Sequence, residues 1–183
     1  MDENKTYENY PARLVAVSVL VTLMIYAAGA LVLSGYGPVI TISYILFLVW
    51  NEVRVMQLSC VDCYYYGKRC AFGRGKVASL LFRKGEASRF AAKPITWVQL
   101  LPDMLVPLLP LAGGAILLVR EFDWLRAVLL ALLIAGASYG NYFVRTAIAC
   151  RFCTQRELGC PAERLFRGTP GSGGKGPGAG SAH

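Results

Sequence analysis

The chain has 183 residues, of which 55% are hydrophobic and 16% charged, and its mean hydropathy is +0.45. Soluble domains carry about 45–50% apolar and about 25% charged residues, so this composition excludes an ordinary soluble domain and places the chain in a membrane. The net charge of +8, from 19 Lys+Arg against 11 Asp+Glu, would raise nucleic acid as a partner of a soluble protein. Here the basic residues lie between apolar runs, so no nucleic acid is expected and the partner is the bilayer.

Residues 1–13 form a polar N-terminus. Their mixed, slightly acidic character lacks the basic start of a cleavable signal peptide, so the first apolar run should stay in the protein. Crossing a hydrocarbon core of about 30 Å takes roughly 20 apolar residues, and Leu14 to Leu33 supplies 20 without a charge. The second span starts at Val39 and reaches about Leu58, with Glu52 and Arg54 in its last third. The third, Ile95 to Val119, holds Asp103 and the prolines Pro102, Pro107 and Pro110, each of which removes a backbone donor and predicts a kink. The fourth runs from Trp124 to Ile148 with Arg145 near its end. Ser34–Pro38 and Arg120–Asp123 are short joins, which force antiparallel neighbours. The expected fold is therefore an all-α membrane protein of four transmembrane helices, arranged as two duplicated hairpins, each followed by a cysteine segment. Its parts are a first repeat (14–70), a basic connection (71–94), a second repeat (95–160) and a tail (161–183).

This topology puts both termini and the middle connection on one side. From Tyr64 to Pro94 there are eight Lys/Arg against Glu86 alone, whereas the opposite side offers only Arg120 and Arg126. By the positive-inside rule the polar segments, N- and C-termini included, are expected in the cytoplasm. Within the connection, Val77–Phe82 is apolar and flanked by Arg74, Lys76, Arg83 and Lys84, the pattern of a segment lying on an anionic inner leaflet. The glycine-rich Ala71–Lys76 is a weak phosphate-loop signal that does not fit the P-loop pattern. From about Gly168 the tail is mostly Gly, Pro, Ser and Ala, a composition expected to be disordered.

The six cysteines carry the strongest pattern. Cys60, Cys63 and Cys70 read C-x2-C-x6-C, and Cys150, Cys153 and Cys160 repeat it 90 residues later. Asn51 maps onto Asn141 at the same displacement, and Arg54 and Arg145 lie six and five residues before their first cysteine. An internal duplication of two spans plus a triplet accounts for this, and an even number of spans per half gives both halves the same orientation. Disulfides are disfavoured on a cytoplasmic face, and inert buried cysteines would not repeat one spacing among polar and basic residues. Metal coordination is the remaining reading, since C-x2-C lets two thiolates face one ion. The spacing resembles each half of the binuclear zinc cluster of fungal transcription factors. For these six cysteines the resemblance implies two zinc ions sharing six thiolates; it covers only two short stretches and carries no DNA-binding function here. Such a centre has a formal charge of −2, which Lys68, Arg69, Arg151 and Arg156 would offset. The alternative cofactor is an iron-sulfur cluster, with Asp62 as a conceivable further ligand and electron transfer as the function.

Glu52, Arg54, Asp103 and Arg145 lie inside span limits, where ionisable groups mark function by default. They are the candidate catalytic residues if the chain is a small membrane enzyme acting on a lipid or other hydrophobic substrate. The expected arrangement is acid–arginine pairing, joined by Asn51 and Asn141, in a polar chamber beneath the cysteines.

Overall fold

The computed structural model describes residues 6–92 and 96–161. The start of the third predicted span at Ile95 and the tail beyond 161 lie outside them. Among the described residues the structure is all-helical, with one isolated parallel bridge between Tyr7 and Cys153. Four helices are long and apolar enough to cross a membrane: Ala12–Tyr36, Pro38–Cys60, Trp97–Arg120 and Trp124–Ala149. The chain is thus a polytopic membrane protein.

Helix α1 (Ala12–Leu33) ends in a 3-10 turn, Ser34–Tyr36, and Gly37 reverses the chain with a φ of 102°, a conformation that favours glycine. Pro38 then opens α2 (Pro38–Val55) at a position where its missing N–H costs nothing. The connection carries α3 (Arg74–Leu81) and α4 (Ala87–Ala92). A capping box of Thr96 and Gln99 starts α5 (Trp97–Arg120), and the Asp123 carboxylate, accepting from the Leu125 amide at 3.2 Å, starts α6 (Trp124–Ala135). The fourth span continues from α6 through two π-helical turns, Gly136–Gly140 and Val144–Ala149.

The three prolines expected to kink the third span lie inside one continuous helix, α5, from Trp97 to Arg120. One repair is visible. Pro110 has no N–H to offer the Val106 carbonyl one turn earlier, and the Tyr44 hydroxyl of α2 donates to that carbonyl at 2.7 Å. Helix α1 is central and packs on α2, α5 and α6, while α5 also packs on α6. One close approach is at Gly114, where a methyl group would come within 2.6 Å of both Val32 and Leu130. Small residues at such crossings let helix backbones meet where no hydrophobic effect drives them together.

Candidate functional site

The two cysteine segments meet at one end of the bundle. Tyr64 donates its amide to the Gln155 side-chain oxygen at 2.7 Å, and the Tyr65 hydroxyl accepts the Thr154 amide at 3.1 Å. At the 90-residue displacement Thr154 corresponds to Tyr64 and Gln155 to Tyr65. The contacts are therefore reciprocal, 64 with the counterpart of 65 and 65 with the counterpart of 64, as in an interface between two-fold-related units. Gln155 and Tyr65 are both 3% exposed, so these bonds are made away from solvent.

The N-terminal segment ties both sides of this junction, a role its sequence did not signal. Tyr7 donates its amide to the Phe152 carbonyl at 3.1 Å and its carbonyl accepts from the Tyr65 hydroxyl at 2.5 Å. Tyr10 donates its amide to the Arg69 carbonyl at 3.0 Å and its hydroxyl to the Ala149 carbonyl at 2.7 Å. The rings of Tyr7, Tyr10, Tyr65 and Phe152 pack in contact with Cys63, Cys70 and Cys153. Burial, with the nearby Cys153, Tyr65 and Cys150 adding to it, pushes the Tyr10 hydroxyl above its ordinary range and keeps it a donor.

All six thiols are free of disulfides. Cys63 is within electrostatic range of Cys153 and Cys160 from the other triplet and of Cys70 from its own, and Cys60 is within range of Cys70 and Cys63. Burial pushes the Cys63 thiol up to about 11, the nearby Tyr65 backbone opposes this, and the neighbouring thiols add to it. Burial likewise raises the Cys153 thiol, against the Arg156 and Gln155 amides, with Cys160 and Cys150 nearby. Cys70 receives the Gly75 amide at 3.3 Å. Among the described residues, however, no three His, Cys, Asp or Glu side chains already stand close enough to hold a metal ion. A matched backbone feature precedes both triplets. Met56–Cys60 and Val144–Ala149 are π-helical turns, closed by the Val61 amide on Met56 and the Cys150 amide on Arg145. Such turns are rare and concentrate at functional sites.

The intramembrane charges separate into two groups rather than one chamber. Glu52 pairs with Arg74 at 2.5 Å and also accepts from the Tyr26 hydroxyl. Its partner is a loop arginine, not Arg54. Asp103 accepts from Asn51 at 2.9 Å, and Arg54 donates to Asn51 at 3.2 Å and to the Gln99 carbonyl, fastening α2 to the start of α5. Arg145 joins neither; it is exposed and donates to Asn141 of its own helix at 3.1 Å, one turn back. The fourth span's π turns rotate the residues beyond Gly136 relative to a regular helix, so a sequence offset near 90 does not give Arg145 the facing partner that Arg54 has. Arg74 and Tyr26 were not distinguishable beforehand, the one being among eight loop cations and the other an aromatic in an apolar span.

The phosphate-loop signal fails on geometry. The Gly75 amide is spent on Cys70, the Gly73 amide on the Cys70 carbonyl, and the Arg74 guanidinium on Glu52. No family model, curated protein or solved structure matches the chain.

Proposed function

We propose that the two triplets form one cytoplasmic metal centre of two zinc ions and six thiolates, from Cys60, Cys63, Cys70, Cys150, Cys153 and Cys160. The centre fastens two duplicated halves into a scaffold or subunit of a larger membrane assembly. The observation that carries this reading is the reciprocal 64/155 and 65/154 junction, which brings the two cysteine segments together beside Cys63 and Cys153. The Gly75 amide on the Cys70 sulfur favours the thiolate, the form that binds metal. The metal would draw thiols already in electrostatic range to about 2.3 Å and release their protons, and its free energy would be added to that of folding. On the same face, Val77, Leu80 and Leu81 of α3 are exposed beside Lys76, Arg83 and Lys84, which suits contact with an anionic leaflet.

Metal analysis and a visible spectrum of the full chain, purified without oxygen, test this. Two zinc per chain and no colour are expected. A brown protein with iron and acid-labile sulfide would replace zinc by the iron-sulfur alternative. Six freely alkylated thiols and neither metal would contradict the metal centre altogether.

A further inference from the structure

Between α1, α2 and the connection lies a cleft of about 220 Å³ whose polar floor is the Glu52–Arg74 pair with Tyr26 and whose walls are apolar, including Val19, Leu23 and Phe72. Leu23, 54% exposed on the flank of a membrane-spanning helix, marks the side on which the cleft opens towards lipid. The Glu52 and Arg74 side chains are only 24% and 26% exposed. An ion pair this shielded, with its carboxylate inside a span, carries a desolvation penalty that a purely structural role could avoid with apolar residues.

Size, depth and charge define the occupant. At about 30 Å³ per water, the cleft holds the equivalent of roughly seven waters, enough for a small head and the first carbons of a tail. Glu52 lies eight residues before the end of its span at Cys60, about 12 Å inside at 1.5 Å per residue. A phosphate head would have to leave the interface to reach it, whereas a single hydroxyl sits at that depth at far lower cost. The formal charges of Glu52 and Arg74 cancel and the Tyr26 hydroxyl is committed to Glu52, so the floor carries no net charge to hold an ionic head. A hydroxyl can donate to the carboxylate and accept from the guanidinium together.

We infer that this cleft binds the uncharged hydroxyl head of an amphiphile entering sideways from the bilayer, with Glu52 and Arg74 as its polar contacts and Val19, Leu23 and Phe72 along its tail. The inference is independent of the metal centre.

The test uses the full chain in phosphatidylcholine nanodiscs and a dioctanoylglycerol carrying a diazirine next to its hydroxyl. Photolabelling is expected on the peptides containing Thr22–Tyr26 and Phe72–Arg74. Competition assigns the source of the hydroxyl. Suppression by unlabelled dioctanoylglycerol alone indicates a glyceride, by 1-decanol alone a simple alcohol, and by both any hydroxyl-bearing amphiphile. Glu52→Gln exchanges a charge-assisted hydrogen bond for a neutral one and should weaken competition about tenfold. Leu23→Trp narrows the mouth without touching the ion pair and should cut labelling at least about fivefold, so the test survives if Glu52→Gln fails to fold. Labelling unchanged in a folded Leu23→Trp protein, labelling elsewhere, or stronger competition by dioctanoyl phosphatidic acid than by both alcohols would overturn the inference.

Discussion

Tyr10→Phe isolates the N-terminal strap from everything else at the junction. The ring is 1% exposed and stacks at 5.6 Å against both Tyr7 and Tyr65, contacts that phenylalanine keeps. What is lost is one hydroxyl and its 2.7 Å bond to the carbonyl of Ala149, a residue only 7% exposed. A buried acceptor deprived of its donor costs about 1–3 kcal/mol. At roughly 2–4 °C per kcal/mol for a domain of this size, a central value of about 2 kcal/mol lowers the melting temperature of the detergent-solubilised full chain by about 4–8 °C. Because the lost bond anchors the residue just before Cys150, chelator-treated Tyr10→Phe protein should also be alkylated faster at Cys150 and Cys153 than wild type, with Cys60 unchanged. A melting temperature within 1 °C of wild type, together with unaltered alkylation, would refute the assignment of Tyr10 as the tie between the N-terminus and the second cysteine segment.

Other substitutions probe separate links. Tyr44→Phe leaves the Val106 carbonyl without the donor that replaces the missing Pro110 amide, at a cost of about 1–3 kcal/mol; Pro110→Ala in that background restores an amide and should recover part of the loss in a double-mutant melting cycle. Asn51→Leu removes the bridge between Asp103 and Arg54 at a site 4% exposed and should destabilise by about 2 kcal/mol or more, whereas Asn141→Leu, which removes a bond to the exposed Arg145 one turn on, should stay within about 0.5 kcal/mol in the same melting assay. At Gly75 a side chain would run into the backbone carbonyls of Tyr65 and Lys68, so Gly75→Val should displace α3 from the first cysteine loop and appear as faster proteolysis between Tyr66 and Leu81.

The long spans were legible because bilayer thickness fixes their length and hydropathy alone finds them; their ends moved by at most three residues, as from Leu33 to Tyr36 and from Ile148 to Ala149. The prolines of α5 marked where carbonyls lose their donors but not what replaces them, and at Val106 the replacement is Tyr44, far away in sequence. The pairing of charges was legible in kind but not in partner. Glu52 meets an arginine, yet the loop between Tyr64 and Arg74 folds back to deliver Arg74, and nothing in a run of eight cations marks which one will turn inward. Arg145 shows the limit of reading by displacement, since π turns shift the face on which it stands. The strap of Tyr7 and Tyr10 was invisible because each of its bonds uses a backbone group over a long sequence distance, which composition and spacing do not encode.

Single cysteine substitutions read out by metal content test the joint centre most directly. Full-length wild type, Cys63→Ser and Cys153→Ser are purified without oxygen, and zinc and reactive thiols are counted in each. A centre shared by both triplets predicts about two zinc in wild type and disruption of both ions by either substitution, with the thiols of the unaltered triplet becoming reactive. Two independent sites would instead lose one ion per substitution and leave the other triplet protected, and that result would contradict the account.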